Sequence, residues 1–303
     1  MLSESVHVPV LLHEVLEFLN PQEGKIYVDG TLGGGGHTEA LCRRGAKVIA
    51  LDRDLEALNR TERRLHSLYD TTPFPVRFAH ADYRYFAEAL DMLEIDKIDG
   101  FLLDLGLSSD QLADFDRGFS FDSDGALDMR FDPSEGLPAH EWLEKQSEES
   151  LANTIYAFGE ERHSRKIARK IVETRKTGQP IRTARQLAEL VRQCVPKVRA
   201  GRASRKHPID PATRTFQALR IAVNDELGSL QAVLEQLPER IKPGGVAVVI
   251  SFHSLEDRIV KNAFRECQCW KIMTPKPITA SEEEIARNSR SRSAKLRAAK
   301  IAM

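Results

Sequence analysis

The 303 residues suffice for one large domain or two ordinary ones, and 41% hydrophobic and 29% charged residues are typical of a folded globular chain. This composition excludes a collagenous or wholly disordered protein. The longest aliphatic run, 246–250, is far shorter than the roughly 18 apolar residues that a membrane-spanning helix requires. The first twenty residues lack the basic and apolar regions of a signal peptide, so we expect a cytoplasmic protein with no membrane attachment.

The chain contains four cysteines, which are Cys42, Cys194, Cys267 and Cys269. Four are too few for a disulfide framework in a chain of this length. The single Cys-x-Cys pair lacks the second pair that a zinc ribbon needs. We therefore expect reduced thiols and no metal site.

The formal net charge of -1 hides a strong asymmetry between the two halves of the chain. Residues 1–150 hold 14 Lys and Arg against 30 Asp and Glu, whereas residues 151–303 hold 30 against 15. Within the second half, residues 162–220 carry 17 basic residues and three acidic ones. Such a concentration favours binding to a polyanion, although the same segment could instead neutralise the acidic half of its own chain.

Apolar periodicity in the first hundred residues predicts alternating helices and strands. The predicted helices are 10–19, 37–44, 54–68 and 83–90, and the predicted strands are 25–29, 47–51, 76–79 and 98–104. Asp54 is expected to cap the third helix. This alternation with short connections is typical of an α/β fold in which helices cover both faces of a doubly wound parallel sheet. Ligands of such sheets bind beyond the carboxyl ends of the strands.

The alternation stops after Leu105, where an inserted helical domain is predicted. Residues 108–138 are rich in Asp, Gly and Ser, and residues 141–194 have several helical patterns with no strand between them. The remaining predicted elements are helix 218–237, turn 242–245, strand 246–250, helix 255–264 and a final strand pair at 270–273 and 294–301. The sequence thus predicts a core over 1–112 and 216–303 and an inserted domain over 113–215.

A glycine-rich loop, DGTLGGGGH at 29–37, lies between the first predicted strand and the second helix. The dinucleotide fingerprint fails here because Thr38 or Glu39 stands where its third glycine is required. The P-loop fails because Gly36 and His37 replace the lysine and hydroxyl residue that bind phosphate and magnesium. The loop is similar to the looser acidic-Gly-x-x-Gly-x-Gly pattern of S-adenosylmethionine-dependent methyltransferases, whose ligand carries no phosphate.

Polar groups also follow the next three predicted strands. Asp52 ends the second strand, where a carboxylate can accept hydrogen bonds from both hydroxyls of a ribose, although capping of the next helix is an alternative role. Asp82 and Tyr83 follow the third strand and can offer a polar contact and an aromatic face to an adenine. Asp104 ends the fourth strand. Four such strand ends predict a nucleoside-containing cofactor.

Seven short strings occur in a fixed order along almost the whole chain. They are HVPVLLHE at 7–14, YVDGTLGGGGH at 27–37, FLLDLGLSSDQL at 101–112, the single stretch 117–130 that contains RGFSF and LDMR, GEER at 159–162, PATRTFQALRI at 211–221 and ISFHSLEDRIVK at 250–261. Together they resemble the ribosomal RNA small subunit methyltransferase H family. The resemblance implies a class I methyltransferase (Rossmann-like) core interrupted by a helical domain. It also implies methyl transfer from S-adenosylmethionine to N4 of a cytidine in the decoding region of bacterial small-subunit (16S) rRNA.

The same resemblance implies a set of cofactor contacts. These are Gly35, Gly36, His37, Asp52, Tyr83, Asp104 and Gln111. The expected partner is small-subunit rRNA, either naked or within the assembled small ribosomal subunit, and the basic insertion is the expected RNA-binding surface. Two other functions stay open, namely a DNA or protein amino-methyltransferase of the same fold and an RNA-binding assembly factor with a non-catalytic cofactor pocket.

Methylation of an exocyclic amine requires a group that holds the amine in line with the methyl donor and accepts a hydrogen bond from one of its N–H groups. Asp104 is the candidate acceptor. His253, after strand 246–250, is a candidate for taking up the released proton, with a purely structural hydrogen bond as the alternative. The loop after Asp104 lacks an aromatic side chain to stack on the base. The candidates for that contact, each of which could instead serve packing, are Phe119, Phe121, Phe252 and His253.

Overall fold

The computed structural model describes residues 9–69, 73–196 and 210–303. The chain divides into two compact units, a core unit of residues 1–108 and 227–303 and an insert unit of residues 109–226. The predicted insertion, 113–215, lies within the limits of the insert unit. Residues 197–209, which carry part of the predicted basic segment, lie outside the described residues.

The core unit is built on a seven-stranded sheet. Its strands are β1 (Ile26–Asp29), β2 (Lys47–Asp52), β3 (Val76–His80), β4 (Ile98–Asp104), β5 (Ile241–Ser251), β6 (Trp270–Ile272) and β7 (Lys295–Ile301). Their order in the sheet is β3-β2-β1-β4-β5-β7-β6. The first five strands are parallel, and β7 runs antiparallel to both of its neighbours.

Thirteen helices are assigned in the described part of the chain. Those before the insert unit are α1 (Leu12–Leu19), α2 (Gly36–Cys42), α3 (Leu55–Leu68) and α4 (Phe86–Met92). Those that follow are α5 (Ser109–Ala113), α6 (Ala139–Lys145), α7 (Glu148–Gly159), α8 (Ser164–Lys176), α9 (Ala184–Cys194), α10 (Thr213–Asn224), α11 (Glu226–Arg240), α12 (Ser254–Glu266) and α13 (Glu282–Arg287). As predicted, the Asp54 side chain caps α3 by accepting hydrogen bonds from the N–H groups of Glu56 and Ala57.

Two apolar layers cover the two faces of the sheet, because successive strand residues point to opposite sides. Val249 lies in the layer packed against α4, α11 and α12, whereas its neighbour Val248 lies in the layer packed against α1, α2 and α3. The buried strands are near-continuous apolar runs for this reason. The predicted fold class, a doubly wound α/β sheet of class I methyltransferase type with an inserted helical region, is confirmed.

Two predicted elements differ in the structure. The helix predicted at 218–237 is divided into α10 and α11, because Asp225 adopts a left-handed conformation with φ 49° and ends α10. The turn predicted at 242–245 lies inside β5. There the register between β4 and β5 shifts, because Ile98 pairs with Ile241 but Gly100 pairs with Val246. Gly244, with φ +80°, accommodates this irregularity.

The insert unit consists of helices joined by hydrogen-bonded loops. Arg175 of α8 donates from Nη1 to the carbonyls of Leu143, Glu144 and Gln146 at the end of α6. Asn224 of α10 holds the loop before α6, donating to Met129 O at 2.7 Å and accepting from Phe131 N at 2.7 Å. The predicted succession of helices between 141 and 194 is present as α6 to α9.

The cysteines differ from the sequence-based expectation at one place. Cys267 and Cys269 form a disulfide, so the prediction of reduced thiols is wrong for this pair. With one residue between them their Cα atoms are 5.3 Å apart, which is within disulfide range. Cys42 and Cys194 are free and buried. Across the described residues, no helix combines the length and the apolar character that crossing a membrane requires.

Candidate active site

Three of the parallel strands end in an aspartate. Asp29 ends β1, Asp52 ends β2 and Asp104 ends β4. Because β1 pairs in parallel with both β2 and β4, the three carboxylates lie at one edge of the sheet, its carboxyl edge. This is the edge where ligands of doubly wound sheets bind.

Asp29 holds the start of the glycine-rich segment from within. Its Oδ1 accepts from Thr31 N at 3.1 Å and its Oδ2 accepts from Thr38 Oγ1 at 2.7 Å. Burial raises the pKa of this carboxyl above its ordinary value. Gly30 follows directly, and a Cβ there would lie 2.6 Å from Leu103 Cδ2 and 3.1 Å from Tyr83 Cβ, so a larger residue would displace its neighbours. Asp29 is therefore a structural residue of the loop.

Asp52 reaches the same loop from β2. Its Oδ2 accepts from Gly33 N at 2.7 Å and its Oδ1 accepts from Asp54 N at 2.8 Å. Desolvation raises the pKa of Asp52 to about 6, although these two backbone hydrogen bonds oppose the shift. A carboxylate has about four lone-pair positions, so each oxygen can still accept one further hydrogen bond. The geometry is compatible with the predicted contact to two ribose hydroxyls.

His37 and Asp104 form a pair beside this loop. His37 is buried in the first turn of α2, and its Nε2 lies 3.5 Å from Asp104 Oδ2. The backbone of Asp104 is fixed by its N–H, which donates to Thr31 Oγ1 at 2.7 Å. Within 9–69, 73–196 and 210–303, neither ring nitrogen of His37 nor Oδ1 of Asp104 has a hydrogen-bond partner, although all three atoms are buried. Because buried polar atoms are nearly always satisfied, these atoms are candidate contacts for a ligand.

Tyr83 lies at the end of β3 on the same edge. It is buried, and its Cβ is 3.1 Å from the position that a Cβ on Gly30 would occupy. Asp82, which precedes it, accepts from Ser229 Oγ at 2.7 Å and lies 3.2 Å from both Arg53 Nη1 and Arg84 Nε. The carboxylate of Asp82 thus fixes the turn that carries Tyr83.

His253 and Phe252 follow β5, the strand beside β4. His253 caps α12, where its Nδ1 accepts from Glu256 N at 3.3 Å and its Nε2 lies 3.1 Å from Glu256 Oε1. Gly106 has φ +107°, and a Cβ there would lie 3.2 Å from Phe252 Cδ2, so the loops after β4 and β5 touch. Both ring nitrogens of His253 face the first turn of α12. Its role in proton uptake stays a prediction.

The remaining candidates belong to the insert unit. Phe119 stacks on Phe131 with ring centroids 5.8 Å apart, and Phe121 meets Phe216 edge-on at 4.7 Å. Gln111 is buried on α5. The two phenylalanines pack within their own unit, and the roles of these three residues toward base and cofactor stay predictions.

The carboxyl edge fits a cationic nucleoside such as the cofactor expected from the sequence. Asp52 and Asp104 would attract a positive charge and accept hydrogen bonds from hydroxyls. The unfilled hydrogen-bonding positions of Asp104 and His37 lie beside the glycine loop. The site therefore brings together Gly35, Gly36, His37, Asp52, Tyr83 and Asp104 from the predicted set.

Two residues of α3 that contact the loop were missed from the sequence. Thr61 Oγ1 donates to Gly33 O at 2.6 Å, and Arg64 Nη2 donates to Gly34 O at 2.9 Å. One signal was available for Thr61, because it stands on the buried face of α3 with Leu58 and Leu65. A hydroxyl on such a face requires a buried partner.

Comparison with known proteins supports these observations. Residues 4–302 match the model of the MraW methylase family. A protein of Rhodopirellula baltica named ribosomal RNA small subunit methyltransferase H is 48% identical over 308 residues, covering 98% of this chain and 92% of its own. A Sorangium cellulosum protein of the same name is 48% identical over 295 residues, covering 97% of this chain and 90% of its own.

Among solved structures, an rRNA methylase from Streptococcus thermophilus aligns over 98% of this chain and 99% of its own, with 11% identity and a TM-score of 0.47. The family match and the two relatives span nearly the whole chain. The family resemblance carried by the seven strings is confirmed. The chain belongs to the MraW methylase family.

Proposed function

We propose that this protein transfers a methyl group from S-adenosylmethionine to N4 of a cytidine in the decoding region of small-subunit rRNA. The observation that carries the proposal is the buried pair of Asp104 and His37, with unfilled hydrogen-bonding positions at the carboxyl edge. Membership of a methylase family and relatives named for small-subunit rRNA support the same conclusion. An rRNA substrate also places the protein in the cytoplasm.

The residues at the carboxyl edge would hold the cofactor. Asp52 would accept hydrogen bonds from the ribose hydroxyls, and Tyr83 would line the adenine position at the end of β3. Gly35 and Gly36 allow the backbone to approach the ligand closely. When bound, S-adenosylmethionine supplies an electrophilic methyl group on a sulfonium sulfur. Asp104 would contribute a negative charge to the edge of the sheet that holds the cofactor.

Asp104 also has the acceptor that the amine requires. The lone pair of cytosine N4 is delocalised into the ring, which makes the amine a weak nucleophile. A carboxylate that accepts a hydrogen bond from one N–H of the amine orients the nitrogen and stabilises the positive charge that develops on it. The hydrogen bond from Asp104 N to Thr31 Oγ1 fixes the backbone that carries this carboxylate. His37, at 3.5 Å, limits its rotation.

The RNA would bind to the exposed basic face of α8 in the insert unit. Arg165, Arg169 and Lys176 are exposed and spaced at i, i+4 and i+11, so they form one strip along the helix. Within the described residues, Arg165 and Lys176 form no ion pair, and Arg169 lies 3.6 Å from the exposed Glu148. Arg175 is different, because its guanidinium caps the end of α6.

Other basic side chains of the same segment are neutralised by nearby acids. Arg182 pairs with Glu144 at 2.8 Å and Arg185 pairs with Asp124 at 2.9 Å. Arg192 and Arg220 are paired in the same way, with Asp210 and Glu226 respectively. Among the described residues, we therefore assign the phosphate contacts to the strip of Arg165, Arg169 and Lys176.

Mass spectrometry of nucleosides tests the proposed function. Unmodified small-subunit rRNA, both naked and in assembled small subunits, is incubated with S-adenosylmethionine and protein, then digested. We expect N4-methylcytidine with at least one of the two substrates. Methylation of DNA or protein instead would identify a different amino-methyltransferase. Binding of cofactor and RNA without any methyl transfer would identify an assembly factor.

A further inference from the structure

Two side chains of α3 hold the carbonyl groups of the glycine loop, Gly33–Gly36. Thr61 donates from Oγ1 to Gly33 O at 2.6 Å, and Arg64 donates from Nη2 to Gly34 O at 2.9 Å. Thr61 is 2% exposed, and its bond to Gly33 is partly buried. Neither side chain belongs to the set of residues assigned to the cofactor.

The bond from Thr61 determines how one peptide group of the loop is oriented. In a trans peptide the C=O and the following N–H point in opposite directions. Because Gly33 O points to α3, the N–H of Gly34 points away from α3, and no acceptor for it is present among the residues described. The N–H groups on either side have partners, since Gly33 donates to Asp52 Oδ2 and Gly35 donates to Leu32 O at 2.7 Å.

The fit between α3 and the loop is tight. A Cβ on Gly35 would lie 2.5 Å from Thr61 Cγ2, and Gly35 has φ +74°. Arg64 is itself anchored, because its Nη1 lies 2.6 Å from Glu39 Oε2 on α2. The two bonds thus connect the loop to α3 and, through Glu39, to the helix that the loop precedes.

We propose that Thr61 and Arg64 are positioning residues that set the backbone of the glycine loop for the cofactor. Thr61 has the larger part, since Thr61 is 2% exposed, whereas the Arg64 side chain is 39% exposed. The inference rests on the proposed function, because it requires S-adenosylmethionine to bind at this loop.

Thr61→Val tests the proposal by removing the hydroxyl while keeping a methyl group against Gly35. We expect S-adenosylmethionine affinity, measured by calorimetry, to fall about three- to tenfold, as for loss of one buried hydrogen bond. Under turnover, KM for the cofactor rises while kcat at saturating cofactor stays within about twofold. Thr61→Ser keeps the hydroxyl and restores affinity to within about twofold of the wild type.

A matched control separates positioning from stability. Thr274 is also buried in the core unit, and its hydroxyl donates to a backbone carbonyl, that of Ala298 at 3.4 Å. Thr274→Val therefore lowers Tm as Thr61→Val does, but leaves cofactor affinity unchanged. For the second residue, Arg64→Met weakens binding about twofold to threefold. Arg43→Met removes the other arginine that pairs with Glu39 and leaves binding unchanged.

Hydrogen exchange of the cofactor-free protein gives a readout that does not depend on binding. Peptides that span Gly33–Gly36 exchange faster in Thr61→Val than in the wild type or in Thr274→Val. Unchanged exchange and unchanged cofactor affinity in folded Thr61→Val would overturn the positioning role. A wild-type protein that binds no S-adenosylmethionine would overturn the proposed function itself, and the positioning role would fall with it.

Discussion

The carboxyl edge of the core unit and the exposed face of α8 in the insert unit use charge in opposite ways. At the carboxyl edge, the acceptor oxygens of Asp52 are bonded to backbone N–H groups, and Asp104 is fixed through its own backbone. On α8, Arg165 and Lys176 extend into solvent with no ion pair in the described chain. One region holds its charged groups close to backbone hydrogen bonds, and the other leaves them exposed to solvent.

The difference determines what each region can recognise. A carboxylate withdrawn from water interacts strongly with a nearby cation or donor and discriminates by geometry. An exposed lysine or arginine is screened by salt and interacts with any phosphate that comes near. On the proposed function, the carboxyl edge would select one small ligand, whereas α8 would contribute affinity for RNA of almost any sequence.

Asp104→Asn gives the largest expected effect. It keeps the shape of the side chain but removes the negative charge of the carboxylate that we propose as hydrogen-bond acceptor for the amine N–H. We expect single-turnover methylation at saturating cofactor to fall by about 10²-fold or more, which is the range for loss of a positioned acid or base. Asp257→Asn is the control, since Asp257 is an ion-paired carboxylate of α12, 2.6 Å from Arg297 Nε. That variant should lose stability while each folded molecule keeps its rate. A wild-type rate in Asp104→Asn would exclude the acceptor role.

Asp52→Ala tests the other carboxylate of the carboxyl edge. We expect calorimetry to show S-adenosylmethionine affinity reduced by about 10- to 150-fold, which corresponds to loss of one hydrogen bond to a charged group. Asp54→Ala is the matched control, because this neighbouring carboxylate caps α3. Its loss lowers Tm and leaves affinity within about twofold. Equal losses in both variants would mean that α3, rather than Asp52, governs binding.

The α8 strip is tested by the double variant Arg165→Gln/Lys176→Gln. If both side chains contact phosphate, the slope of log K against log salt becomes less negative by about 1.4, and RNA affinity near 0.15 M salt falls by about tenfold. The control is Arg182→Gln/Arg185→Gln, which removes the same charge from side chains already paired with Glu144 and Asp124. Identical slopes for the two variants would indicate that the net charge of the protein, rather than contacts from the α8 strip, determines the salt dependence of RNA binding. Cofactor affinity stays at the wild-type value in both.

The smallest expected effect concerns pH. With the pKa of Asp52 at about 6, a fall from pH 7 to pH 5 protonates the carboxylate, and cofactor affinity declines severalfold. Asp54 and Asp29, the nearby acids that contribute to the raised pKa, stay in place in the control Asp52→Asn. In that variant, cofactor affinity should not decline between pH 7 and pH 5. A profile shared by wild type and Asp52→Asn would assign the pH dependence to another group.

The stability of the cofactor-free protein should change in the opposite direction. The folded-state pKa of Asp52 lies above its ordinary value of 3.8, so the folded state binds the proton more tightly than the unfolded chain. The stabilisation from this proton is fully present below about pH 3.8 and is lost as pH rises through 6. Relative to Asp52→Asn, the wild type therefore becomes more resistant to urea as pH falls from 7 to 5.

Prediction from the sequence succeeded where local pattern and burial agree. The apolar run 246–250 is buried on both faces of the sheet in β5, and Asp54 caps α3 because its side chain reaches N–H groups two and three residues ahead. The strand ends that carry Asp52 and Asp104 followed from the same periodicity. These features depend on near neighbours in the chain.

The features that were missed depend on distant contacts or on single backbone angles. Thr61 and Arg64 reach glycines 28 and 30 residues away, a relation that helical periodicity does not contain. The division between α10 and α11 depends on the left-handed conformation of Asp225. The sequence has no glycine at this position to indicate it. The disulfide between Cys267 and Cys269 depends on how the chain turns after α12.

The position of β7 between β5 and β6 has a consequence for how the chain folds during synthesis. β6 is made before β7, yet in the sheet β7 is its neighbour, and the outer edge of β5 is also covered by β7. The pairing of β5 with β7 and that of β6 with β7 cannot form until residues 295–301 leave the ribosome. At about 5–20 residues per second, the edge of β5 stays open for several seconds. An open strand edge invites pairing with other chains, so nascent or truncated forms that lack β7 should be the aggregation-prone ones.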